Sequence, residues 1–334
     1  MNNENHRARL YYLFGASSPQ RSSWLERLPA SLFAISVGLF GLNGAWRRAG
    51  AYGWTFAAEA AAWMVWPVTA IWIASLLLYG LKCRFYPQAV LGEYRHPVQG
   101  SLLALIPLSL LLAVMQFCRP GQDIWLVLAL LALGLITLIS TRVVSVLATA
   151  QMPTNAISPA LYLPIVGGAL IGAMTLAALG YPGWGAMLFG TGLAGWALLE
   201  ARILSSLFQG PMPEALRPTI GVELAPPTVA TLAAATIWPA LPGDVLIVGL
   251  GMAIAPFVGV AARYQWWTSV PFSIGFWSFS FPLAAFASVT IEVVHRGGWP
   301  LWIGIVALVL ASAVIAFLAL RTIMLLARGK LLPQ

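Results

Sequence analysis

Charge is what this 334-residue sequence has least of. Lysine and arginine number 18 and aspartate and glutamate 10, so charged residues make up 8% of the chain, against about 25% in an average soluble domain. A soluble chain of this length has a large surface to hydrate, and so few charges cannot hydrate it. A soluble enzyme, a disordered chain and a nucleic-acid binder are all excluded. Aspartate occurs only at Asp123 and Asp244, which leaves no Asp-rich magnesium–pyrophosphate site. The three histidines, His6, His96 and His295, lie outside the apolar runs or at their ends and make no paired metal-ligand spacing. There is no G-x-x-x-x-G-K-[ST] nucleotide loop and no G-x-S-x-G nucleophile turn. The expectation is a protein that is no enzyme and has no cofactor and no metal. The two cysteines, Cys83 and Cys118, fall at opposite ends of apolar runs, a bilayer apart and too far for a disulfide.

Apolar residues are abundant instead, at 60% of the chain, with mean hydropathy +0.84. The first 28 residues are polar and basic, without the apolar stretch and small-residue cleavage site of a secretory signal, so none is expected. Ser23-Trp24-Leu25-Glu26 has capping-box spacing and predicts a short helix before Pro29. From there apolar runs long enough to cross the roughly 30 Å hydrocarbon core follow one another. They predict ten spans: 29–48, 53–82, 97–117, 122–149, 159–180, 183–209, 218–239, 243–268, 271–294 and 299–326. The fold class is therefore an all-α polytopic membrane protein. A transmembrane domain over 29–326 lies between a polar segment at 1–28 and a short tail at 327–334.

The charges orient it. With the N-terminus inside, 14 of the 18 basic residues fall on the inner side and four, Arg47, Arg48, Arg119 and Arg296, on the outer. The positive-inside rule then places both termini in the cytoplasm. Most of the +8 net charge is thus an orientation signal and says little about a partner.

Prolines recur inside alternate spans, at Pro107, Pro164, Pro226 with Pro227, and Pro282, about one helical hairpin apart, while the first span carries Gly38, Gly41 and Gly44. A proline inside a helix removes a hydrogen bond and bends the backbone, which lipid tolerates only where neighbours or a wet cavity satisfy the freed carbonyl. Two readings stand: the odd spans form an inner ring around a polar path, or small and cyclic residues merely assist packing. Ionisable groups inside the spans include Glu59, Arg142, Glu200 and Glu223. Glu59 is near an outer surface and open to solvation, and Arg142 and Glu200 are suited to structural pairing. Glu223 lies one turn before Pro226 and is a candidate proton carrier or a structural hydrogen-bond acceptor for the proline-freed backbone. Tryptophans crowd the span ends, as interfacial anchors do. In Phe276-Trp277-Ser278-Phe279-Ser280-Phe281-Pro282, Phe281 sits at a predicted bend, where a ring either packs or blocks and dewets a channel.

Several stretches carry a family resemblance: Glu93-Tyr94-Arg95-His96-Pro97-Val98, Ala104-Leu105-Ile106-Pro107, Leu161-Tyr162-Leu163-Pro164, Gly221-Val222-Glu223-Leu224-Ala225-Pro226, Phe276 to Phe281, and Arg321-Thr322-Ile323-Met324-Leu325-Leu326. In this order, across nearly the whole chain, they resemble the tellurite-resistance/dicarboxylate transporter family, the TehA-type proteins, which are similar to the slow-type anion channels of plant guard cells. The resemblance implies five helical hairpins in quasi-fivefold arrangement around a central pore lined by the odd helices. It also implies a homotrimer in a bacterial inner membrane, with Phe281 closing each pore. Pro282 departs from many bacterial relatives, which have glycine there. The expected function is an anion channel or uniporter for small inorganic or organic anions, with hydroxyls such as Ser36, Ser109, Thr228 and Ser278 lining the path. The alternative is a proton-coupled transporter or exporter of dicarboxylate, tellurite or sulfite that titrates Glu223.

Overall fold

The computed structural model describes residues 23–332 apart from 120, 154–155 and 211, and leaves out the side chains of 207–209. The basic residues Arg7, Arg9 and Arg21 of the N-terminal segment, and the last two positions of the tail, lie outside the described residues. Ten main helices follow: α1 (Phe33–Ala51), α2 (Thr55–Phe85), α3 (Leu105–Phe117), α4 (Asp123–Ala148), α5 (Gly168–Ala178), α6 (Pro182–Gln209), α7 (Ala225–Ile237), α8 (Gly243–Ala262), α9 (Ser280–Arg296) and α10 (Leu301–Ala327). Short helices at Pro87–Arg95, Gln99–Leu102 and Tyr264–Thr268 join them. The capping-box segment forms a turn, not a helix, with the Leu25 N–H donating to Ser23 Oγ at 3.2 Å.

Nine helical segments among the described residues are long and apolar enough to cross a membrane. The span predicted at 29–48 is helical as α1 but is not one of the nine, because Asn43, Arg47 and Arg48 dilute its hydropathy. It is nevertheless packed deep in the bundle, with Phe33, Phe40 and Ala45 almost wholly buried. The Asn43 amide nitrogen donates there to the Ala61 carbonyl of α2 at 2.7 Å, while its Oδ1 is buried without a hydrogen-bond partner among the described residues.

Packing separates the helices into two sets. The apolar windows of the segments ending in α3, α5, α7 and α9 are between 67% and 78% buried, against 11% to 28% for the five even-numbered helices. Each odd helix packs on the even one that follows it. In addition α1 packs on α3, α3 on α5, α5 on α7, α7 on α9 and α9 back on α1, so the contacts among odd helices close a cycle. The even helices leave rows of large apolar side chains uncovered, such as Trp63 and Leu77 of α2, Leu131 and Leu138 of α4, and Leu310 and Ile323 of α10. Such faces are stable against lipid tails, not water.

The prolines act differently from the bend that interior prolines predict. Each odd span is a two-part element, with a short lead-in before its α-helical run that is 3₁₀ or π-type in four of the five and a single α-helical turn before α3. The lead-ins are Ala30–Leu32 before α1, Leu163–Gly167 before α5, Glu214–Leu224 before α7 and Ile274–Phe279 before α9, while Gln99–Leu102 precedes α3. Pro107, Pro226, Pro227 and Pro282 then fall in the first turn of the α-helix, and Pro164 near the start of the π-type turn. A first-turn N–H has no intrahelical partner anyway, so these prolines mark where α-helix begins. The continuous helices with interior prolines are even ones, α2 at Pro67 and α8 at Pro256.

Glycines let the inner helices touch. A Cβ on Gly38 would stand 2.0 Å from Ser280 Oγ and 2.5 Å from Ser280 Cβ. Ser280 has no room to retreat, being fully buried with its hydroxyl donating to the Trp277 carbonyl at 2.6 Å. Gly38→Ala should therefore destabilise the protein by about 1–3 kcal/mol, the usual range for overpacking, although alanine is the better helix former. The readout is the thermal unfolding midpoint in detergent. A midpoint at or above the parent's would mean that α9 yields to a methyl group without cost.

Candidate functional site

Two cavities lie inside the ring of odd helices. The near cavity, about 540 Å³, opens at the end of the bundle carrying Pro29 and Lys330. The far cavity, about 420 Å³, is lined at its polar end by Arg47, Arg48, Tyr52, Gln116 and Glu292. Among the described residues only Phe281 lines both. Its ring is half-buried and lies against α1, where a Cβ on Gly41 would come within 2.7 Å of Cδ2.

The backbone behind Phe281 is firmly held. Trp277, one turn earlier, is 2% exposed and donates its indole N–H to Thr322 Oγ1 of α10 at 2.8 Å. The Ser278 hydroxyl donates to the Pro218 carbonyl of the lead-in to α7 at 2.5 Å. Those two lead-ins approach closely at Gly221, where a Cβ would stand 2.7 Å from the Phe279 nitrogen. Phe279 in turn packs on Trp267, with ring centroids 4.8 Å apart.

The remaining predicted site residues separate by position. Gly41 lines the far cavity, and Pro226 and Pro282 line the near one. Gly38, Pro107, Pro164 and Pro227 line neither and are packed between helices. Of the four hydroxyls expected along a path, only Ser278 reaches a cavity. Ser109 accepts from Trp72 Nε1 at 3.0 Å and donates back to the Ile106 carbonyl, and Thr228 donates to the Leu224 carbonyl. Both are occupied in helix packing.

The intramembrane charges find partners that spacing did not foretell. Glu223 does not accept from proline-freed backbone. It pairs with Arg263 at the end of α8, Oε2 to Nη2 at 2.8 Å, and lines neither cavity. Glu200 accepts from the Tyr162 hydroxyl and from Trp196 Nε1, and does not meet Arg142, whose guanidinium donates to the Arg95 carbonyl and lies over the Tyr94 ring. Glu59 is exposed.

Two clusters at the cavity mouths were hidden by their place at span ends. At the near mouth buried Lys82 pairs with Glu93 and donates to the Leu28 carbonyl, while Tyr79 donates to the same carboxylate at 2.7 Å. At the far mouth Glu292 of α9 accepts from Arg48 of α1, from Arg296 at 3.0 Å and from the Tyr52 hydroxyl at 2.9 Å. Burial, and then the charge and hydrogen bond of Glu292, push the Tyr52 hydroxyl up to about 12. Only the i, i+4 spacing of Glu292 and Arg296 signals this cluster in the sequence.

The near cavity has a second common feature. The beginnings of all five odd helices contribute to it, through Ala34 of α1, Leu105 of α3, Gly167 just before α5, Ala225 of α7 and Phe281 of α9. A helix start carries partial positive charge on its unpaired N–H groups. The chamber lined by these five ends is mostly apolar, with Glu93 and Lys330 as its charged lining residues. No cluster of histidine, cysteine, aspartate and glutamate among the described residues could hold a metal ion.

Residues 27–323 match the family profile SLAC1, described as voltage-dependent anion channel. The chain is 30% identical over 312 residues to a tellurite resistance protein TehA homolog of Haemophilus influenzae, an alignment covering 91% of this chain and 92% of that one. It is 23% identical over 299 residues to the guard cell S-type anion channel SLAC1 of Arabidopsis thaliana, and 26% identical over 243 residues to the S-type anion channel SLAH2 of the same plant. These alignments cover 82% and 66% of this chain but 51% and 44% of the plant proteins, so it spans about half the length of either. A bundle of membrane-crossing helices, built around two chambers and matching the profile over nearly its whole length, belongs to the SLAC1/TehA family of voltage-dependent anion channels.

Proposed function

We propose that the protein is an anion channel or uniporter in which ten spans, as five hairpins in quasi-fivefold arrangement, place the odd helices around one pore gated by Phe281. The observation that carries this reading is a single phenylalanine ring shared by two cavities that open toward opposite ends of the bundle. Residues 29–326 are the transport domain, and 1–28 and 327–334 its cytoplasmic flanks, in a bacterial inner membrane. The bias of basic residues supports that orientation. The near cavity is then the cytoplasmic vestibule and the far cavity the outer one. Gly41 seats the gate ring, and the first-turn prolines with Gly38 fix where each inner helix starts and how closely it packs. Assembly as a homotrimer follows the family resemblance.

Transport in this reading involves no covalent step. A small anion sheds water in an apolar vestibule, is held loosely by helix-start N–H groups, and passes when the ring turns aside. Walls with few charges select weakly and favour anions that dehydrate easily.

A proton-coupled carrier or exporter of dicarboxylate, tellurite or sulfite is the competing reading, with Glu223 as its titrating group. Glu223 is ion-paired with Arg263 and lines neither cavity, which favours the channel. In liposomes, with the gate opened by Phe281→Ala, Glu223→Gln should leave anion flux near the level of its background and insensitive to a proton gradient. Flux that collapses in the glutamine variant and follows the proton gradient would move the assignment to the carrier.

A further inference from the structure

We propose that the far cavity holds a binding station for a planar oxyanion, a carboxylate or nitrate-like ion, on the free edge of the Arg47 guanidinium. This rests on the channel reading only for its direction, since the station would be the last stop before Phe281 from that side. Arg47 and Arg48 both line the cavity, but their charges are used differently. Arg48 and Arg296 share one carboxylate, Glu292, whose side chain is 4% exposed. Arg47 has no carboxylate partner among the described residues. That leaves three cations around one anion at the cavity's polar end.

The Arg47 fork is also held in place. Its Nη1 donates to the Met115 and Gln116 carbonyls at 3.1 and 3.3 Å and to Gln116 Oε1 at 2.7 Å, at the C-terminal end of α3. Gln116 is pinned in turn, its Nε2 donating to the Phe40 carbonyl at 3.2 Å. Capping α3 occupies Nη1 alone. The remaining donors of the fork, on Nε and Nη2, make no hydrogen bond among the described residues. Two parallel N–H groups on a rigid planar cation match the two oxygens of a carboxylate or nitrate in two straight hydrogen bonds, whereas a single halide meets both only in bent, weaker ones. The cavity of about 420 Å³ has room for such an ion with several waters, each taking roughly 30 Å³. The rest of the wall is apolar, Leu112, Met174 and Leu232 among it, while Arg47 itself is exposed, so an ion on its free edge keeps part of its water shell.

The test uses the unmodified full chain with its gate closed, in detergent, titrated calorimetrically with formate, nitrate or chloride at constant ionic strength. Saturable binding is expected, with formate and nitrate about tenfold tighter than chloride, the effect of one extra charge-assisted hydrogen bond. Arg47→Gln should abolish binding of all three. Arg47→Lys keeps the charge without the fork and should bind the three alike, so a misfolded glutamine variant does not leave the matter open. Arg328→Gln, exposed and lining neither cavity, should bind as the parent does. Equal affinity for chloride and formate in the parent, or parent-like oxyanion preference in either Arg47 variant, overturns the station. Its failure separates from that of the channel reading: Arg47-dependent binding with no current from Phe281→Ala keeps the station and removes the channel, and current without such binding does the reverse.

Discussion

Replacing Phe281 with alanine is expected to turn a nearly silent protein into an anion-selective conductor. The ring is the one lining residue the two cavities have in common among the described residues, so its removal joins volumes of about 540 and 420 Å³ into one path. Nothing nearby replaces it. The Trp277 side chain is turned toward Thr322 of α10, and position 41 on the opposing face is glycine. A phenylalanine in a narrow apolar neck blocks mechanically and dewets the gap. Lowering that barrier by only ~1.4 kcal/mol raises conductance about tenfold, so the increase should be at least of that order. In planar bilayers the alanine variant's reversal potential should follow the anion gradient and ignore the cation. Phe281→Tyr, which keeps the ring, should stay near the parent. If the alanine variant is as silent as the parent while shown to be folded and inserted, Phe281 is not the gate.

The frame of this molecule was legible because lipid imposes a simple rule: about twenty apolar residues per crossing, basic residues on one side. Nine segments obey it by hydropathy alone. The first span escapes that measure because Asn43, Arg47 and Arg48 lower its hydropathy, yet they sit against protein and cavity, where Asn43 Nδ2, Arg47 Nη1 and Arg48 Nη1 find acceptors. The proline period pointed to bends inside the odd spans, whereas in the structure Pro107, Pro226, Pro227 and Pro282 fall in the first turns of the inner α-helices. Whether a proline kinks a helix or begins one depends on the backbone before it, and the 3₁₀ and π-type lead-ins have no hydropathy signature. Side-chain partners were least legible. Glu223 and Arg263 are 40 positions apart, and Arg48 and Glu292 are 244 apart; only the closing of the helix ring brings such groups together. Glu292 drew no notice for a further reason: near the end of a span, a carboxylate reads as solvated, yet this one is buried.

Glu292 is where loss of a side chain should do most harm to the fold. The carboxylate is the meeting point of α1 through Arg48, of α9 through Arg296, and of the α1–α2 connection through Tyr52. Its two arginines extend the tie to α7, Arg48 donating to Thr236 Oγ1 at 3.2 Å and Arg296 to the Ala235 carbonyl at 3.3 Å. Removing the carboxylate strands two cations whose side chains are only 22% and 15% exposed. Breaking a buried pair in this way costs about 3–5 kcal/mol; the partial exposure of Arg48 puts Glu292→Ala near the lower end, about 3 kcal/mol, and Glu292→Gln, which keeps hydrogen-bonding oxygen, should lose less. Unfolding in detergent measures both. A second readout separates the lost charge from general loosening. Tyr52 keeps its proton up to about 12 through burial, the Glu292 charge and their hydrogen bond, so in Glu292→Gln its ultraviolet titration should move down toward the usual value near 10. The sign for stability follows. A folded-state pKa above the unfolded one stabilises the protein fully below about pH 10 and loses that contribution as pH rises through 12. The parent should therefore weaken across that alkaline window, and the glutamine variant should lose its smaller Tyr52 contribution over a narrower range. A Tyr52 titration unchanged in Glu292→Gln, or a fully stable Glu292→Ala, would mean that the far mouth is held together by packing and that its ion cluster is incidental.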